Sequence, residues 1–99
     1  MDVQRALKLA VSTGKVRIGA ERTKRAVKEK KAKLVVIASN CLKENVDFVK
    51  SAHKKIQVYN FSGNNKDLGI ACGKPFPISM LAVIEPGESD IMSLLRGST

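Results

Sequence analysis

Tryptophan is absent, histidine occurs once, and aromatic residues make up only 4% of the chain. A core built from such a composition must be aliphatic. Cysteine is scarce too: Cys41 and Cys72 stand far apart, with no C-x-x-C pairing. With one histidine beside them, they cannot assemble a tetrahedral zinc site, which draws four Cys/His ligands at close pair spacing. The two thiols read as reduced, small apolar residues of a cytosolic protein. Long apolar runs are missing. The longest cover residues 34–38 and 80–84, far below the ~20 residues that span a bilayer, so no membrane partner is expected. The opening Met1-Asp2-Val3-Gln4-Arg5 lacks an apolar stretch, so no secretory signal is expected. Repeats, low-complexity tracts and linkers are also lacking, and 99 residues leave room for one domain, 1–99. The 43% apolar and 27% charged content excludes a disordered tail.

What the chain does have is positive charge, +9 in all, and it is unevenly spread. Residues 1–33 carry +8, residues 34–66 carry +3, and residues 67–99 carry −2. A one-sided cationic field attracts a polyanion through Coulomb attraction and counterion release. Nucleic acid is the leading partner. An anionic membrane surface comes second, because it would require bulky apolar residues opposite the basic face of a helix.

The patterning alternates between helical and β periods. Asp2 can cap a first helix whose Val3, Leu7, Ala10 and Val11 share a face. Gly14 should end it in the left-handed conformation. A short strand at 16–18 leads through Gly19 into a second helix, 20–31. The unbroken run 34–38 reads as a strand covered on both faces. A third helix at 44–55 turns Val46, Val49 and Ala52 inward, and a strand at 56–61 ends in a turn-forming loop, 62–65. A short helix at 68–72, a Gly/Pro loop at 73–77 and a last strand at 78–84 follow. Glu85-Pro86-Gly87-Glu88 suits a type II turn, and a final helical turn or two is expected at 89–95. The expected fold is a three-layer α/β/α sandwich around a four-stranded mixed sheet.

Several features imitate chemistry without supplying it. Gly69-Ile70-Ala71-Cys72-Gly73-Lys74 has one residue too few between its glycines for a phosphate-binding loop, and Pro75 replaces the required Ser/Thr. His53 lacks a nucleophile and an orienting carboxylate. Cys72 has nothing beside it that would lower its pKa. Glu85, Glu88 and Asp90 read as a surface turn, and the sequon Asn60-Phe61-Ser62 has no meaning without secretion. No enzyme, metal or cofactor reading survives.

One constellation does carry chemistry, Gly19-Ala20-Glu21-Arg22-Thr23-Lys24-Arg25-Ala26-Val27-Lys28. A helix N-terminus offers unpaired amides and the positive end of the dipole, and Gly19 carries no side chain to hold a phosphate away. Ala20, Thr23, Ala26 and Val27 fall inward, while Lys24, Arg25 and Lys28 fall on an outer face beside that terminus. A phosphate backbone could sit on the amides while the cations neutralise its neighbours. The bland alternative is a solvated basic face beside an ordinary turn, and the overall charge disfavours it. Asn40, after the apolar strand, lies where α/β folds bind ligands. Phe76, between two prolines, is either a stacking surface for an unpaired base or a lid on the core.

Ala32-Lys33-Leu34-Val35-Val36-Ile37-Ala38-Ser39-Asn40, Leu68-Gly69, Gly73-Lys74-Pro75-Phe76 and Pro86-Gly87-Glu88-Ser89-Asp90-Ile91 together identify a family. Over essentially its whole length the chain resembles the archaeal and eukaryotic type of large-subunit ribosomal protein thirty, a branch of the kink-turn RNA-binding superfamily. The resemblance implies an α/β/α sandwich without catalytic activity, in the cytoplasm on the ribosome, among large-subunit rRNA and neighbouring ribosomal proteins. It implies binding of a sharply bent helix–internal loop–helix RNA, with Gly19, Ala20, Glu21 and Arg22 lining the kink. Lys24, Arg25 and Lys28 would meet phosphates, Asn40 a kinked nucleotide, and Phe76, Ile78 and Ser79 a looped-out base. The box C/D-type members place Asn-Glu where this chain has Glu21-Arg22. The departure favours the ribosomal branch and makes Glu21 a helix-start carboxylate or an acceptor from a guanine N–H. A protein–protein adaptor on the same fold, or a kink-turn binder in another RNA–protein complex, are the alternatives. The free protein is expected to be monomeric.

Overall fold

In the computed structural model, which describes residues 3–53, 56–87, 89 and 91, helices and strands alternate along the chain. They are α1 (Val3–Thr13), β1 (Lys15–Ile18), α2 (Ala20–Lys28), β2 (Leu34–Ile37), α3 (Lys43–Ala52), β3 (Gln57–Asn60), α4 (Asn65–Ala71) and β4 (Met80–Glu85). The strands form one sheet in the order β1-β4-β2-β3. β4 runs antiparallel to both its neighbours, and β2 and β3 are parallel. The mixed four-stranded α/β/α sandwich expected from the patterning is the fold.

The unbroken apolar runs belong to the two inner strands, and the reason is coverage on both faces. Leu34 and Val36 of β2, with Leu81 and Val83 of β4, pack against Ala6, Leu7 and Ala10 of α1 and Leu68 of α4. On the opposite face Val35, Ile37, Met80 and Ala82 meet Ala26 and Val27 of α2 and Val49 of α3. The edge strands β1 and β3 are only partly covered. The largest fully buried side chains are all Leu, Ile, Val or Met, each stabilising the fold by roughly 1.5–3 kcal/mol before entropy is counted.

Several boundaries depart from the expected ones. α3 spans Lys43–Ala52 rather than 44–55, with positions 54 and 55 outside the described residues, and β4 spans Met80–Glu85 rather than 78–84. Three further departures have a clear local reason. α2 stops at Lys28 rather than 31. The Lys31 N–H donates to Ala26 C=O at 2.9 Å and the Lys30 N–H to Val27 C=O at 3.0 Å. These are the paired bonds of a Schellman cap, with Lys30 at φ 59° where glycine usually sits. α4 begins at Asn65, three residues before 68. The Asn64 side chain accepts from the Asp67 N–H at 3.0 Å while the Asp67 carboxylate accepts from the Asn64 N–H at 3.1 Å. Gly14 does not take the left-handed conformation; among the described residues the glycines at positive φ are Gly19, Gly73 and Gly87. It is needed because a Cβ there would lie 2.1 Å from the Glu85 carbonyl oxygen.

Gly87, at φ 62°, follows Pro86 as a type II turn requires. The fourth turn position, Glu88, lies outside the described residues, as do the Asp2 cap and positions 90 and 92–95 of the expected last helical turn. Beyond the turn the Ser89 hydroxyl donates to the Ala6 carbonyl of α1 at 2.6 Å, and Ile91 is fully buried in the α1–α4 face of the core.

Candidate nucleic-acid interface

Strand directions decide which loops meet. β4 begins where β1, β2 and β3 end, so their connections gather at one end of the sheet. Backbone bonds join them there: Gly19 N–H to Met80 C=O at 3.0 Å, Ala38 N–H to Ser79 C=O at 2.9 Å, and Ser39 N–H to Gly63 C=O at 2.9 Å. The Gly19 turn, loop 38–42 with Asn40, and loop 72–79 with Phe76 are thus brought together. Loop 61–64 joins them.

Gly19 has φ 101° and ψ 157°, a region that essentially only glycine occupies. No side chain caps α2, and a Cβ at Gly19 would meet nothing within 4 Å. The first helical bond is Thr23 N–H to Gly19 C=O at 3.0 Å. The amides of Ala20, Glu21 and Arg22 therefore have no acceptor within the helix and share the positive end of its dipole. Thr23, Ala26 and Val27 are buried and Ala20 half-buried, as the period requires. Thr23 directs its hydroxyl at the Arg17 carbonyl, 3.5 Å away.

The outer face is not uniform. Arg22, Arg25 and Lys28 are exposed, whereas Lys24 is held against α3. Its Nζ lies 3.7 Å from the Glu21 carboxylate and 5.5 Å from the centre of the Phe48 ring. The ring contact is worth about 0.5–1 kcal/mol at a surface and the exposed ion pair only about 0.2–0.5 kcal/mol, so a phosphate would have to draw this ammonium away from both. Glu21 itself is 92% exposed in its side chain.

Asn40 is engaged within the protein. Its Nδ2 donates to Asn65 Oδ1 at 3.0 Å and its Oδ1 accepts from the Asn65 N–H at 2.9 Å. Asn65 in turn accepts through its carbonyl from the Ile78 N–H at 2.9 Å. One residue at the start of α4 thereby fixes both neighbouring loops, and Asn40 keeps one amide hydrogen for a ligand. In loop 72–79, Phe76 is 47% exposed and belongs to neither face of the core, so it is not a core lid. Its backbone is pressed onto α4, where a Cβ on Gly69 would lie 2.1 Å from the Phe76 carbonyl oxygen. Ile78 is 1% exposed and packs in the core, so its side chain supports the loop from beneath rather than facing a ligand. Ser79 is half-buried, with its carbonyl already paired to Ala38.

Two features of this surface escape a reading of residues alone. Leu42 is 62% exposed two positions after Asn40; an apolar residue directly before the polar start of α3 was the available signal. Asn65 has only the Asn-Asn doublet to mark it, because its partner lies twenty-five positions away. Both thiols are unsuited to nucleophilic work. Burial pushes Cys72 up to about 11 against the pull of Lys74, and desolvation raises Cys41, with Lys24 acting the other way. Among the described residues no group of three or more His, Cys, Asp or Glu is placed to hold a metal ion. No described helix is long and apolar enough to cross a membrane.

The family model described as "Ribosomal protein L7Ae/L30e/S12e/Gadd45 family" matches residues 1–93. The chain is similar to proteins named large ribosomal subunit protein eL30. The one from Methanoregula boonei is 45% identical, covering 97% of this chain and 98% of the relative. That of Methanospirillum hungatei is 43% identical over 97% and 100%, and that of Methanocaldococcus jannaschii 44% over 97% and 89%.

Proposed function

The chain belongs to the ribosomal protein L7Ae/L30e/S12e/Gadd45 family, and from that premise we propose that it is a structural, non-enzymatic constituent of the large ribosomal subunit that clamps a kinked segment of large-subunit rRNA. Its partners are that rRNA and neighbouring ribosomal proteins, on the ribosome in the cytoplasm, and the free protein is a monomer. The observation that carries the reading is the uncapped, open N-terminus of α2 at Gly19, placed beside loops 38–42 and 72–79. A bent backbone brings phosphates close to one another, and three free amides flanked by Arg22, Arg25 and Lys28 offset the resulting repulsion. Phe76 supplies an aromatic face for a base turned out of the stack. Asn40 contributes its remaining donor from a position fixed by Asn65. Glu21 accepts from a base N–H or stays with Lys24 as a helix-start carboxylate.

The test is affinity for a kink-turn RNA and for a straight duplex of equal length and charge, at ~150 mM salt. Preference for the kinked RNA by about tenfold or more is expected. With ~6 phosphates contacted, the log–log salt slope should be on the order of −4 to −5. Equal, weak binding to both would overturn the reading in favour of a protein–protein adaptor.

A further inference from the structure

Arg17, Arg22, Arg25 and Lys31 surround a recess of ≈ 260 Å³ on the β1 side of α2. This is a different flank from the groove that Lys24, Lys28 and Phe48 line toward α3. Its one carboxylate, Glu29, lies 3.6 Å from the Lys31 ammonium. Arg17, Arg22 and Arg25 have no side-chain hydrogen bond or ion pair among the described residues. Four cations facing one small space with a single carboxylate, Glu29, leave a net positive charge there, and an anion placed among the guanidiniums converts their mutual repulsion into attraction. The floor includes Val16 and Ile84, apolar walls that lower the local dielectric and strengthen the attraction. Arginine, three of the four cations here, offers the planar fork that matches a phosphate's oxygens.

We propose that this recess takes one phosphodiester of a base-paired RNA arm that leaves the kink and runs along α2; the inference rests on the kinked-rRNA function proposed above. Arg22 and Arg25 line both flanks of α2, so the recess continues the cationic surface that starts at Gly19, which favours RNA over an acidic protein segment. Ala26, in the wall of the recess, lies seven residues after Gly19, ~10 Å along a helix. That is about four base-pair steps of an A-form RNA helix, at roughly 2.8 Å each. An arm shorter than this ends before the recess, and a longer one passes over it.

The full chain is titrated, across a salt series, with kinked RNAs whose two arms are in turn about three or about nine base pairs long. Lengthening one arm should raise wild-type affinity several-fold and steepen the slope by about one unit for each further phosphate neutralised. Arg17→Ala with Lys31→Ala, two exposed side chains that the kink-binding surface proposed above does not use, should abolish that advantage and bind the short-armed RNA as wild type does. Arg17→Lys with Lys31→Arg, which keeps the charge, should restore it. Should the double alanine variant melt below the assay temperature, Arg17→Gln alone serves, with about half the slope change expected.

An unchanged long-arm advantage in the variant overturns the proposal and leaves the recess to an acidic protein. Equal losses on both RNAs overturn it as well. Inorganic phosphate that saturates the recess below millimolar concentration without weakening RNA binding would reassign it to a free anion. A wild-type chain that does not prefer kinked RNA removes the functional reading and this inference together. Preference retained alongside an unaffected variant removes only the inference.

Discussion

Two glycines bracket β1, and they are required for opposite reasons. Gly14, at the start of the strand, is glycine because a Cβ would collide with the Glu85 carbonyl. Gly19, at its end, has open space where a Cβ would go, and is glycine because its backbone sits at φ 101°. The first end is packed: α1, β1 and the Pro86-Gly87 turn touch backbone to backbone, and a Cβ on Gly87 would lie 2.5 Å from Thr13. At the second end the loops are joined by backbone bonds beneath, but its outer surface is open, with the first amides of α2 unpaired and Leu42 and Phe76 exposed. Residues at the packed end serve stability, and those at the open end leave room for something outside the chain.

The comparison can be broken at its strongest point first. Gly14→Ala should cost about 3 kcal/mol or more, since backbone must move, lowering Tm by ten degrees or more. RNA affinity measured well below that Tm should stay unchanged. Gly19→Ala should cost only about 1–2 kcal/mol, from backbone strain, yet weaken kinked RNA by about tenfold. If Gly14→Ala harms binding and Gly19→Ala spares it, the division between the ends is wrong. Phe76→Ala should weaken kinked RNA several-fold more than duplex, with a Tm shift of a few degrees at most.

Smaller effects sharpen the contrast. Lys30→Gly, at φ 59° in the Schellman cap, should stabilise the protein by about 1 kcal/mol in urea unfolding, by removing the left-handed cost. Cys72 is buried at 4% exposure, and its pKa is raised from 9.0 to about 11. The folded state then holds its thiol proton more tightly than the unfolded state. Stability from this group is full below pH 9 and is lost as pH rises toward 11. The wild type should therefore lose on the order of 1 kcal/mol more over that range than Cys72→Ala, read from urea midpoints at each pH.

Much of this was legible in the residues, and the exceptions share a cause. The inner strands announced themselves through 34–38 and 80–84, and the three loops met at one end once the sandwich was assumed. The inward set Ala20, Thr23, Ala26 and Val27 followed from the helical period alone. Local sequence also carried the true start of α4, in the Asn64 to Asp67 spacing of a capping box, although the apolar pattern pointed to 68. What stayed hidden depended on distant partners. Nothing near Gly14 reveals Glu85, nothing near Asn40 reveals Asn65, and the placement of Lys24 over Phe48 requires knowing that α2 and α3 are neighbours. Ile78 shows the limit from the other side. The contact with a base is what the family resemblance implies for it, whereas its side chain lies buried in the core.

The strand order carries a consequence for synthesis. β4 comes after the other three strands in the chain yet lies between β1 and β2. As the chain is made from its N-terminus, β1 has no sheet partner and β2 has only β3 until residues 80–85 are joined. The α1–α4 face of the core lacks Leu81 and Val83 until then. Non-local pairing of this kind assembles late and as a unit. The loops around Gly19 are held by bonds to Ser79 and Met80. A nascent chain therefore presents its basic residues before the loops around Gly19 are assembled, and the RNA-shape preference proposed above would begin only when the last strand is in place.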